Sequence, residues 1–260
     1  MPLTIKIIGA NQLVKAEATG DSVTLVYTEA YAEGDVIHLL SDKEMYIVTQ
    51  LEDSMAPAFG LLKSECVLTV PFGEKRVSYS PKSFTENVHL LWAREARKEE
   101  VQGYRNLALN PFDSHQNTGF YPHALANVET RGESVFAARN AINGNTASAG
   151  HGPWPFESWG INRQDDAEIR IDFGRDVMID KLMITLRADF PHDNWWKTAL
   201  IRFSDGSSFE PKFQKSGLPQ AFPIERRTVS WLSMSNLKKD ETDSSPFPAL
   251  VQLECWGTSI

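Results

Sequence analysis

Short apolar or alternating runs, each closed by a turn signal, recur along the whole chain, and none has the length or period of a long helix. In the first hundred residues the runs fall at 3–8, 22–27, 36–40, 45–51, 65–70 and 87–92. Thr19-Gly20-Asp21, Glu33-Gly34-Asp35, Pro71-Phe72-Gly73 and Ser80-Pro81 separate them. Fourteen prolines and sixteen glycines supply such punctuation throughout, which suits short strands better than helices. The spacing predicts a small antiparallel sandwich or jelly roll. At 260 residues the chain exceeds the usual single core, so two domains are expected. The segment 93–102 (AREARKEEVQ) is the most polar and helix-compatible stretch and marks the boundary. The division is then a small sandwich over 1–97, a connection over 98–105, and a second sandwich over 106–260, giving an all-β fold class.

In the second half the strands fall at 167–173, 179–186, 198–203, 227–232 and 250–256, with turns at Asp172-Phe173-Gly174 and Ser204-Asp205-Gly206-Ser207. Two connections, 111–130 and 147–159, exceed the usual four to six residues, and loops of that length in a compact domain are often functional.

Five motifs in order carry a family resemblance. They are NLALNP at 106–111, ARNAINGNTAS at 138–148, IRIDFGRDVMIDKLMI at 169–184, IRFSDGSSF at 201–209 and PALVQLECWG at 248–257. Together they resemble the discoidin (coagulation factor 5/8 type C), galactose-binding-like family over all of the second half. Asn143 stands where the family's NAIDG turn has Asp, and the Trp159 region matches only loosely. The resemblance implies a jelly-roll-like sandwich of eight strands whose loops at one end bind a galactose-like sugar, a phospholipid headgroup or a protein. It also implies a structural calcium ion beside Ala141, Asn143 and Thr146. Without the Asp one hard anionic oxygen is gone, while Asn and backbone carbonyls remain competent ligands.

The formal charge of −8 and pI near 5.3, with no Lys/Arg cluster, argue against nucleic acid and anionic membranes as partners. The opening residues do not read as a secretory leader, and no stretch approaches the roughly 20 apolar residues of a membrane span. Cys66 and Cys255 lie in different halves and read as two buried thiols, so a cytoplasmic location is expected. The phosphate-loop and dinucleotide glycine patterns are absent, which excludes the usual nucleotide cofactors.

Four of the six histidines and four of the seven tryptophans sit in second-half loops, where turn formation does not call for them. The set is His115, His123, His151, Trp154 and Trp159, followed by Arg187, Asp189, His192, Asp193, Asn194 and Trp195 in the connection 187–196, which also holds Phe190, Pro191 and Trp196. Aromatic rings stack on the C–H faces of sugars, while Arg, Asp, Asn and His read hydroxyls. Each residue also has a plain structural reading. Alternation sends Trp195 and Trp196 to opposite faces, so at least one is core, and Arg187 could simply pair with Asp189 or Asp193. Trp231 and Trp256 lie within strands and are expected in the core.

The sequence leaves three functions open. The first is a carbohydrate-binding protein, alone or docked on a partner enzyme. The second is a carbohydrate-active enzyme using a metal or a carboxylate pair such as Glu157 with Asp189 or Asp193. The third is a homo-oligomer that buries its aromatic loops at a subunit contact.

Overall fold

The structure is a computed structural model that describes residues 2–117, 119–148, 150–189 and 192–260. The first half contributes β1 (Leu3–Ile8), β2 (Val14–Gly20), β3 (Ser22–Tyr27), β4 (Val36–Ser41), β5 (Met45–Gln50), β6 (Ala58–Leu62), β7 (Glu65–Thr69) and β8 (His89–Glu95). After a single helical turn, α1 (Lys98–Gln102), come the short strands β9 (Arg105–Asn106), β10 (Phe120–Tyr121), β11 (His123–Ala126) and β12 (Trp159–Gly160). The long strands β13 (Ile169–Arg187), β14 (Trp196–Phe203), β16 (Gln220–Lys239) and β17 (Ala249–Ser259) follow, with β15 (Ser208–Phe209) closing the hairpin after β14. The chain is all-β, as expected.

The first half is a sandwich of two antiparallel sheets, ordered β2-β1-β4-β7 and β10-β6-β5-β8-β3. Period-2 alternation explains its core. Leu3, Ile5 and Ile7 of β1 with Ile37 and Leu39 of β4 face Val23, Leu25, Ile47 and Leu91 of the opposing sheet in one buried cluster. The polar segment 93–102 is divided between the end of β8 and α1. Arg94 and Glu100 form a two-bond ion pair (2.8 and 2.7 Å) that fixes the turn where the chain leaves the sandwich.

A second core is enclosed by one eight-stranded sheet, ordered β12-β17-β13-β16-β14-β15, with β11 joined to β13 and β9 to β17. Its long strands bend at bulges. In the β13–β16 pairing the register shifts between Asp172 and Val177, where Gly174 takes a positive φ of 66° beneath the Tyr121 ring. The turn expected at 172–174 is this bulge, so the runs at 167–173 and 179–186 form one strand. Two loop residues that follow α1, Phe112 and Phe120, belong to the first core. Phe120 pairs with Leu62 through β10 and β6, and a side chain at Gly119 would meet the Glu65 carbonyl at 2.2 Å. The two halves are therefore packed directly together through β10.

Trp231 and Trp256 correct the expectation of core tryptophans. Their neighbours Leu232, Cys255 and Gly257 point inward, so alternation places both rings on the outer face. There they are half-buried beneath the Arg170 guanidinium (4.3 Å) and the Lys181 ammonium (4.6 Å). Cys66 and Cys255 are free thiols, one in each core, and burial pushes the Cys66 thiol up to about 12.

Candidate functional site

The loop-borne candidates separate into three groups. His123 and His115 lie together, away from the rest. His123 is buried and its Nδ1 donates to Asp113 Oδ1 at 2.6 Å, while Asp113 Oδ2 accepts the Ala124 N–H at 2.9 Å. Burial opposes a charge on His123, but the hydrogen bond and the charge of Asp113 outweigh it, and the pKa is raised. His115 pairs with Glu129 at 2.8 Å and is raised chiefly by that bond. Glu129 Oε1 also accepts the Ala138 N–H, so the pair ties loop to loop.

The second group comprises tryptophans and the amides near the implied calcium site. Trp159 and Trp196 are fully buried, 6.3 Å apart, and Trp159 Nε1 donates to the Val128 carbonyl. Trp195 is partly buried against the same core, so of this pair Trp196 is the core member. Asn143 Oδ1 accepts from the Asn145 N–H and from Gln252 Nε2, both at 2.8 Å. Glu157 is buried. Its Oε1 accepts from Asn143 Nδ2 and Asn145 Nδ2, and its Oε2 accepts the Phe156 N–H. Ala141 is buried and Thr146 exposed. The side-chain oxygens of Asn143, Asn145 and Glu157 thus face N–H donors, whose positive ends would repel a cation. As arranged, the oxygens left for a calcium ion here are backbone carbonyls and the Thr146 hydroxyl. The amide network makes the cross-links between the 143–145 turn, Glu157 and β17 that an ion would otherwise make. Glu157 thus accepts three N–H bonds within its own loops. Among the described residues, no group of three or more His, Cys, Asp or Glu side chains could hold a metal ion.

The third group assembles around the end of β13. Arg187 is 1% exposed; Nη1 donates to the Phe156 carbonyl (2.5 Å), Nη2 to the Gly150 carbonyl (2.7 Å) and Nε to Asp189 Oδ1 (3.2 Å). Asp189 Oδ2 in turn accepts the Ser148 hydroxyl at 2.9 Å. Arg187 therefore clamps the loop 150–156 and is turned away from any ligand. Phe190 and Pro191 lie outside the described residues. Asn194, fully buried, donates to the Asp240 and Ser245 carbonyls and fastens the loop 240–245 in the same way.

Between these two pinned loops opens a cleft of about 520 Å³. Phe136, Ile161 and Phe247 give it apolar walls, and His151, Asn162, Arg163, His192, Asp193 and Ser244 bring polar groups to it. Phe247 is 40% exposed, with the Arg163 guanidinium 4.5 Å from its ring centre. Asn162 and Arg163 both hold left-handed φ values, 48° and 59°, which is costly for consecutive non-glycine residues and aims the turn at the cleft.

The imidazoles have a defined hydrogen order. The Phe247 carbonyl can only accept, so His192 Nδ1 carries the proton of their 3.2 Å contact. Burial above all, with the Arg187 charge next, lowers the His192 pKa and keeps the ring neutral. Its Nε2 is then an acceptor, and the His151 Nδ1–H donates to it at 3.2 Å. In a neutral His151 this leaves Nε2 as a lone-pair acceptor for a ligand.

Of the residues expected at the site, His151, His192 and Asp193 reach the cleft, Arg187, Asp189 and Asn194 build its frame, and Trp154 stands on the far side of the loop 150–156. Phe136, Arg163 and Phe247 were missed. The signal for Phe247 was its position between Pro246 and Pro248 in an otherwise polar loop.

No family model and no curated protein sequence matches the chain significantly. Among solved structures, the chain is similar to chitosan-binding module 1 of a chitosanase/glucanase from Paenibacillus sp. IK-5, at 16% identity and TM-score 0.43, covering 59% of this chain and 99% of that one. It is similar to the lectin domain of lectinolysin complexed with Lewis B antigen, at 14% identity and TM-score 0.42, covering 60% and 98%. It is also similar to the family 32 carbohydrate-binding module of C. perfringens NanJ in complex with galactose, at 16% identity and TM-score 0.38, covering 51% and 91%.

Proposed function

We propose that the protein binds carbohydrate in the cleft between the loops 150–156 and 240–249, and that its second half is a module of the discoidin kind. The observation that carries this reading is the make-up of the cleft: two phenylalanine walls with an ordered set of acceptors and donors between them. A pyranose offers an apolar C–H face for Phe247 and hydroxyls for the rest. His151 Nε2 and the Asp193 carboxylate accept, while Arg163 and Asn162 donate. Because Arg187 and Asn194 hold both loops in place, little ordering entropy is lost on binding. A solvent-open cleft of this size fits a single ring held at about millimolar affinity.

The test is calorimetric titration with galactose, fucose and N-acetylglucosamine. Phe247→Ala and His151→Ala should each weaken the sugar that binds by about tenfold, near the 1.4 kcal/mol of one lost contact. Titrations with no heat from any sugar, or variants that bind as well as the parent, would remove the proposal.

A further inference from the structure

The loop 150–156 has two sides. His151 lines the cleft described above, while Gly152 and Trp154 line a separate groove of about 380 Å³ with Arg76, Val77, Tyr79 and Pro81 of the first half. Trp154 and Tyr79 also line an adjoining depression of about 260 Å³ that holds Ser54, Ser80 and Asn145. Trp154 is 38% exposed and Val77 47% exposed, so two large apolar groups face one groove without covering each other.

The backbone that carries Trp154 is held on both sides. Arg187 donates to the carbonyls of Gly150 and Phe156, on either side of it. Pro153 and Pro155 flank it directly, which removes backbone freedom. Opposite, Tyr79 is set by the Arg139 guanidinium 4.2 Å from its ring centre and by an edge contact with Phe84. Ser134 N–H and hydroxyl bonds to Glu74 (2.8 to 2.9 Å) tie the 73–76 turn of the first half to the second. An exposed indole on a backbone pinned at both ends, across a hydroxyl- and amide-rimmed groove from a tyrosine, has the chemistry of a sugar-stacking platform.

We infer that this groove is a second carbohydrate subsite, built jointly by both halves, and that the ligand is an oligosaccharide crossing the loop 150–156 from the cleft to Trp154. This rests on the cleft being a sugar site. It gives the first half a role, because Val77, Tyr79 and Arg76 supply one wall. Arg76, which lines the groove and gives one of its N–H groups to the Pro81 carbonyl, keeps further N–H donors for sugar hydroxyls.

The test is a titration series on the full chain with N-acetyl-chito-oligosaccharides and β-galacto-oligosaccharides of one to six units. Affinity in the parent should rise about tenfold between one unit and the longer chains of the series that binds. Trp154→Ala and Val77→Glu should abolish that gain and leave single-unit affinity unchanged, and Trp154→Phe should restore part of it. Length-independent affinity in the parent, or a gain that survives Trp154→Ala, overturns the inference while the cleft reading stands. Absence of binding by single units and chains alike overturns both.

Discussion

Replacing Arg187 by methionine tests whether this residue is a clamp for the site or a group that reads the ligand. The guanidinium holds the Phe156 and Gly150 carbonyls and Asp189. Hydrogen bonds to a charged group contribute about 1.5–3 kcal/mol each. Asp189, with its side chain 31% exposed, and the half-buried Gly150 can turn to water, so the Phe156 carbonyl in its buried residue is the main orphan. Methionine fills the volume and is spared the desolvation that the buried charge suffers. The net loss should therefore be about 2–3 kcal/mol, below the ~3–5 kcal/mol of a stranded buried charge. Urea unfolding gives that number from the midpoint, and hydrogen exchange should show the 150–158 segment opening well before the strands. Lysine at 187 keeps the charge but cannot fork to both carbonyls, and should recover less than half. Stability within about 0.5 kcal/mol of the parent, with unchanged exchange in that loop, would refute the clamp.

Burial and the Arg187 charge hold the His192 pKa below its usual value, so its contribution to stability is present above about pH 6.5 and is lost as pH falls through the folded value. Protonated Nε2 can no longer accept from His151, so sugar affinity should fall over the same acid range; an NMR titration midpoint at or above 6.5 would contradict this. His115 and His123, both raised, act in the opposite sense, with stability present below about pH 6.5 and lost as pH rises through their folded values, which makes residue-resolved titration the right measurement. His123→Ala should cost about 3 kcal/mol by stranding buried Asp113, yet leave sugar affinity unchanged; weakened binding in a folded variant would return His123 to the site. Gly119→Ala should cost about 1–3 kcal/mol in thermal unfolding, since its Cβ meets the Glu65 carbonyl where β10 joins β6, and a neutral result would show that this junction yields.

Strands whose one face is buried were legible from alternation alone, as Leu3-Ile5-Ile7 and Val23-Leu25-Tyr27 show. Two strands of the first half were not. In β2 (VKAEATG) no residue is fully buried, and β6 carries Gly60 where the Tyr121 backbone approaches too closely for a side chain. The accumulation of histidine and tryptophan pointed to the loops that form the cleft, but composition cannot tell a ligand group from its support. Arg187 and Asn194 bond backbone carbonyls, and carbonyl partners leave no sequence signature. Trp159 lies among the same loops and is wholly core because its strand pairs with β17. Arg163 reaches the cleft through a left-handed turn that Asn162 suits but Arg163 itself does not announce.

An amide and side-chain NMR titration of the full chain with the binding monosaccharide locates the sugar site residue by residue. Binding in the cleft should give saturable shifts at His151, Arg163, Asp193 and Phe247, with His115 and His123 unmoved. Shifts confined to the His115–Glu129 region, or none at tens of millimolar sugar, about tenfold above the affinity expected of an open single-ring site, would contradict it.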